Sequence, residues 1–181
     1  MLKNWMFRPF RFVAGAQALG WGLLIMAITA VVAYFSHTNF DGVIDIHYGI
    51  SNPFWVYPVV ALANWAVLSM VVYVAGRLLS SSAIRLIDVA GTIALSRAPL
   101  FFAALAGFLD KPVITDPLQI QFTPGMIGQI IVSLGITVWL VALYWQAYTV
   151  SCNVKGSKAV ISFIIALVAA EVLMYLFFWL L

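Results

Sequence analysis

The sequence predicts an all-α integral membrane protein with five transmembrane helices, on three observations: long apolar runs, almost no charge inside them, and cations gathered on one side. Of 181 residues, 65% are hydrophobic and 8% charged, and the mean hydropathy is +1.07. The runs reach the length of about 18 residues that marks a spanning helix. A single transmembrane bundle, residues 1–181, accounts for the whole chain. The formal charge of +3 would suggest nucleic acid in a soluble protein. Here most Lys and Arg flank apolar spans, so they read as topology determinants, and no nucleic-acid partner is expected. Cys152 is the only cysteine, which rules out an internal disulfide.

The opening MLKNWMFRPFRF interleaves Lys3, Arg8 and Arg11 with Trp5, Phe7, Phe10 and Phe12. That pattern suits a short interfacial segment with rings at headgroup depth, or a simple positive flank. The apolar run that follows, 12–35, is much longer than the apolar core of about 7–15 residues in a signal peptide, so it reads as a retained helix. The first span covers about 13–35, and its pairs Ala16/Gly20 and Ala18/Gly22 mark faces for close helix approach.

Residues 36–52 form a polar loop without Lys or Arg, containing His37, Asp41, Asp45 and His47. Asp41, Asp45 and His47 carry the donor types of a divalent metal site, but at no established ligand spacing. The competing reading is a polar loop with turns at Asp41 and Gly42, and no cofactor is expected. Asn52 and Pro53 read as cap and first helical residue of a second span, about 54–75, with Phe54, Trp55 and Tyr57 as interfacial anchors. Pro58 bends its first turns, and Asn64 sits at its midpoint, where an amide bonds a neighbouring helix. The basic connector GRLLSSSAIR holds Arg77 and Arg85, with three serines placed to cap the next helix.

The third span, about 86–109, carries Asp88 near one end, Arg97 near its middle and then Pro99. Proline removes the bond to the carbonyl four residues earlier, so a break or kink is predicted near Arg97–Pro99, starting around Leu95. Broken helices line solute sites in some transporters, and a kink accommodated by packing is the commoner case. After the loop 110–122, Thr123 and Pro124 repeat the cap-then-proline start of a fourth span, about 124–148. Gln129, Ser133, Thr137 and Gln146 lie along one face of it, as an interhelical stripe. A tight turn, SCNVKGSK, leads to a fifth span, about 159–181, interrupted by Glu171 and ending among Tyr175 and Trp179.

Five spans put Lys3, Arg8, Arg11, Arg77, Arg85, Lys155 and Lys158 on one side and Lys111 alone on the other. The N-terminus is therefore expected in the cytoplasm and the C-terminus outside, or in the periplasm. Arg77, Arg85, Lys155 and Lys158 make a cytoplasmic basic face for anionic lipid or a protein partner. Within the bilayer the expected polar cluster is Arg97, Glu171, Asn64 and Asp88. A central Arg costs about 2.5–3.5 kcal/mol on insertion scales, which calls for a partner. Arg97 and Glu171 both fall about 17–18 Å from the inner ends of their spans, so an ion pair is predicted, with Asn64 as a third member. No catalytic or phosphate-binding motif is present.

Five spans, a basic cytoplasmic start, an external C-terminus and the run AGTIALSRAPLFFAAL with Gly91 and Pro99 together resemble bacterial members of the Yip (Ypt-interacting protein) domain family. The resemblance covers nearly the whole chain. Eukaryotic relatives carry Asp-Leu-Tyr-Gly-Pro in a longer N-terminus before the first span. This chain lacks both features, and its Asp45-Ile-His-Tyr-Gly lies after that span. The resemblance implies a non-enzymatic protein of membrane organisation in a bacterial inner membrane, with membrane lipids and a cytoplasmic-face protein as partners. The Rab-type GTPase of the eukaryotic relatives is not carried over. The competing reading is a small transporter, channel or lipid scramblase using the intramembrane polar groups. A metal-dependent intramembrane enzyme at Asp41, Asp45 and His47 is a third.

Overall fold

A computed structural model describes residues 8–110 and 123–180. Five of its helical segments are long and apolar enough to cross a membrane: Gly15–Ser36, Val56–Leu79, Leu86–Ala106, Pro124–Cys152 and Gly156–Trp179. We label the helices α1 (Gly15–Ser36), α2 (Val56–Leu79), α3 (Leu86–Ser96), α4 (Leu100–Ala106), α5 (Pro124–Cys152) and α6 (Gly156–Leu180). The third span is α3 and α4 together.

That span is the hub. In its most apolar stretch 72% of residues are buried, against 22–33% in the other four. Those four instead present Trp21, Met70, Ile131, Val138, Ile165 and Val168, each about half exposed or more, as a lipid-facing surface would. The hub is also where the backbone breaks. Pro99 has no N–H to give Leu95, and the Leu95 carbonyl takes the Ala98 N–H instead at 3.1 Å. Arg97 to Ala94 (3.2 Å), Leu100 to Arg97 (3.0 Å) and Phe101 to Ala98 (3.2 Å) follow the same three-residue spacing. The break is therefore a tightened turn at Arg97–Pro99, two residues beyond Leu95, in which the freed carbonyl is satisfied locally.

The helix ends sort onto two sides. On one, Asn153 Nδ2 donates to Ser82 Oγ at 2.9 Å, and Cys152 packs where a side chain at Gly76 would lie. Arg77, Arg85, Lys155 and Lys158 are all exposed at this basic side. On the other, the end of α4 at Gly107 meets Ser36 and Thr38, and Gly125 at the start of α5 meets Leu109 and Asp110.

Between α1 and α2 the chain forms a β-hairpin. Thr38–Asn39 (β1) pairs antiparallel with His47–Tyr48 (β2), Thr38 opposite Tyr48 and Asn39 opposite His47. The expected polar loop is thus an ordered ribbon, and its tip turns into the bundle, burying Phe40 and Val43.

Several local expectations need correction. Phe10 is buried against α5 from a short 3-10 turn, Pro9–Arg11, so its ring does not sit at headgroup depth. Lys3, Trp5, Phe7 and Lys111 lie outside the described residues. Ala18 and Gly22 are buried, while Ala16 and Gly20 are exposed, so only the second small pair packs. Asn52 does not cap α2, which starts at Val56, because its amide donates to Asn39 Oδ1 at 2.7 Å and braces the hairpin. Nor do the serines cap α3. Ser80 Oγ accepts from the Ser82 N–H, and Ser82 ties to Asn153. Thr123 does cap α5, accepting the Met126 N–H at 3.1 Å ahead of Pro124. That helix runs to Cys152 and closes on Asn153 at φ 49°, four residues past the expected end.

Candidate functional site

The polar groups of the span interiors converge on the hairpin tip. Asn64, the buried amide of α2, donates to the Phe40 carbonyl at 2.8 Å. Tyr144 of α5 donates to the Val43 carbonyl at 3.2 Å and accepts from Arg97 Nη1 at 3.1 Å. Glu171 of α6 takes two successive backbone N–H groups, Val43 to Oε2 at 3.0 Å and Ile44 to Oε1 at 2.7 Å. Three helices thereby satisfy four backbone groups of one turn. That is the condition for irregular backbone at membrane depth, where unpaired N–H and C=O groups cost several kcal/mol each. Glu171 lies nine residues before Leu180, about 14 Å along the helix, so the tip reaches well below the end of α6. Gly42 leaves room for the Glu171 carboxylate: a Cβ there would collide with it and stand 2.9 Å from Asp45 Oδ2, so one of these side chains would have to shift.

The predicted Arg97–Glu171 ion pair does not form. Among the described residues the ion pair is Arg85 Nε to Asp88 Oδ2, at 3.9 Å, one helical turn apart at the basic end. Arg97 is 2% exposed and meets the Glu171 side of the bundle through the Tyr144 hydroxyl and the Val43 peptide. Matching depth allowed contact; the hairpin occupies the space between them. Asp88 is also not a member of the intramembrane cluster. It sits in the first turn of α3 beside Arg85, where a carboxylate meets the positive end of the helix dipole. Asn64 belongs to the cluster through the hairpin and not through the two charges.

Two spaces flank the tip. A small cavity of about 20 Å³, room for about one water, is lined mostly by buried residues, Arg97, Thr29, Ala33, Asn39 and Tyr57 among them, with the half-buried Asp41 at its edge. On the hairpin side a cleft of about 450 Å³ is lined by Asp41, Gly42, Asp45, His47, Asn52, Val56, Glu171, Tyr175 and Phe178. Asp41 and Val56 line both. Burial pushes the Asp41 carboxyl above the usual carboxylate range, the nearby Asp45 charge adds to that, and His47 opposes it.

Asp41, Asp45 and His47 share the cleft wall but do not form a metal site. Among the described residues no three His, Cys, Asp or Glu side chains converge as ligands. The Glu171 carboxylate beside them is taken up by the Val43 and Ile44 N–H groups. Of the α5 stripe, Gln129 donates to the Ala106 and Asp110 carbonyls at 3.3 and 2.8 Å, and Ser133 bonds Tyr48 OH at 2.8 Å.

Sequence reasoning did not find Tyr144, because one aromatic among many on α5 carries no signal of its hydroxyl contacts. It also did not find the tip. A signal for the tip was present: Phe40, Val43, Ile44 and Ile46 alternate with the aspartates in a segment otherwise read as polar. Comparison with protein-family models, curated proteins and solved structures gives no match for this chain.

Proposed function

We propose that this chain is a non-enzymatic, multi-pass protein of a bacterial inner membrane, of Yip type, acting in membrane organisation or as a docking partner at the membrane. Its N-terminus is cytoplasmic and its C-terminus external, with the hairpin outside and the basic side in the cytoplasm. One observation carries the reading: Arg97, Glu171, Asn64 and Tyr144 are bonded to one another or to the hairpin tip, where polar groups of a solute path would face an aqueous route. Neither the small buried cavity nor the outer cleft is lined by Arg77, Arg85, Lys155 or Lys158. The split of flanking cations supports the orientation. The four exposed cations of the basic side suit anionic lipid or a protein partner there.

A second reading, a small transporter or lipid scramblase, draws on the 450 Å³ cleft that reaches Glu171 from the outer side. Reconstitution into vesicles carrying ion and lipid reporters separates the two. The proposal expects leak and lipid-flip rates equal to those of empty vesicles, and rates rising with protein density would overturn it. Reporter fusions after residues 45, 80, 155 and 181 should read out, in, in, out. A cytoplasmic signal at 181 would reverse the orientation.

A further inference from the structure

We infer that the hairpin tip, residues 40–46, is a removable plug latched by Glu171, and that lifting it joins the outer cleft to the small buried cavity at Arg97. The partition between the two spaces is thin: Asp41 and Val56 are the residues common to both linings, and Asp41 belongs to the tip. Behind it the cavity floor is the buried Arg97, and in front of it the cleft is already open. The attachment is of a releasable kind. The tip is held to α2, α5 and α6 by four hydrogen bonds through its own backbone, and two of the four end on the single carboxylate of Glu171. The hinges are also placed for rotation. His37 at φ 52° and Gly49 at φ 88° flank the ribbon, and the Gly49 N–H bonds the His37 carbonyl at 3.0 Å, so the hairpin base is closed independently of the tip. A tip that hangs half of its four backbone bonds on one carboxylate, on a base tied to itself, is loosened when that carboxylate lets go, and lifting it brings Phe40 and Val43 out of their buried positions. This holds whether or not anything passes through the opened space.

The test is thiol accessibility from behind the plug. Ala33 lines the small buried cavity and is 1% exposed, and Cys152, the single native thiol, is buried at the other side of the bundle. In a Cys152→Ser background, Ala33→Cys is exposed in detergent solution to a small charged methanethiosulfonate, with Ile50→Cys, on the exposed hairpin side, as reference. With Glu171 intact, position 33 should react far more slowly than position 50. Glu171→Gln keeps one acceptor but turns an amide N–H toward the second backbone donor, and should speed labelling at 33 by about tenfold or more while leaving position 50 unchanged. Equal slow labelling in folded Glu171→Gln protein overturns the inference, as does labelling at 33 as fast as at 50 with Glu171 intact. If Glu171→Gln does not fold, Asn64→Leu, which removes the bond to Phe40 at nearly constant size, is read against the same two outcomes.

Discussion

At the basic side α1 lies so close on α3 that a Cβ at Gly22 would stand 2.5 Å from the Ala94 carbonyl carbon and from the Leu95 nitrogen, and one at Gly91 would collide with the Gly15 carbonyl. At the hairpin side a turn of backbone lies among α2, α5 and α6, bonded to Asn64, Tyr144 and Glu171. One requirement holds in both regions: a peptide group removed from water must find its partner inside the protein. The first meets it by keeping every peptide inside a helix and letting small residues bring helices into dispersion contact. The second admits non-helical backbone and spends polar side chains on it. The third span passes from one region to the other: α3 ends at Arg97, whose guanidinium bonds Tyr144 beside the tip, while α4 still buries the small residues Ala103, Ala104 and Ala106.

The largest expected effect comes from removing the acceptor on which the hairpin side depends. Glu171→Leu leaves the Val43 and Ile44 N–H groups without their acceptor and should lower stability by about 2–5 kcal/mol, read as thermal unfolding in detergent. The double variant with Arg97→Leu sharpens this. Two charges in direct contact would show recovery when both are removed, but here each is bonded to a different partner. Tyr144 and Val43 link the two groups in one network, so the double variant should recover only part of the summed loss, about 0.5–3 kcal/mol. Recovery of most of the loss would mean that the charges meet in the membrane and that the tip does not lie between them.

Gly22→Val tests the other region. Its cost comes from forcing α1 away from α3 against backbone atoms that cannot give, about 1–3 kcal/mol or more. It should leave labelling on the hairpin side unchanged, so a variant that also opened position 33 would show that the two regions are not independent. Tyr144→Phe is milder. It keeps the ring and removes the hydroxyl between Arg97 and the Val43 carbonyl, at about 1–2 kcal/mol, and a cost within error of zero would place the Arg97 charge with some other acceptor.

How far each region was legible follows from the same contrast. The five spans, the Thr123–Pro124 start and the break at Pro99 depend on residues acting on their own or neighbouring backbone, and local chemistry suffices to read them. The Ala18/Gly22 face was visible as spacing, although its twin Ala16/Gly20 shows that spacing alone does not select the partner. The hairpin side depends on pairs more than 100 residues apart, such as Val43 with Glu171 and Val43 with Tyr144. Arg97 and Glu171 were marked as needing partners by their charge, and that inference of need was sound. What one sequence could not supply was that a segment read as an external loop would return to meet them.

The smallest effect belongs to Asp41, and it asks whether the tip is as buried as its bonds imply. Burial raises the Asp41 carboxyl above its ordinary range, with the Asp45 charge pushing the same way and His47 opposing. A carboxyl raised on folding holds its proton more tightly in the folded state. Its contribution is therefore favourable below its unfolded value and is lost as pH rises through the folded one. At neutral pH the ionised group costs stability. Asp41→Asn removes that cost, so the variant should melt above the parent at pH 7–8 by less than any loss expected for the preceding variants, and the gap should close as pH is lowered toward 4. Asp41 is half-buried, and solvent on the cleft side limits the size of the gain. A variant that melts below the parent at pH 8 would mean that the ionised carboxylate is stabilised by more than its burial costs, with His47 as the group that acts in that direction. Asp41 would then join Glu171 in holding the tip in place.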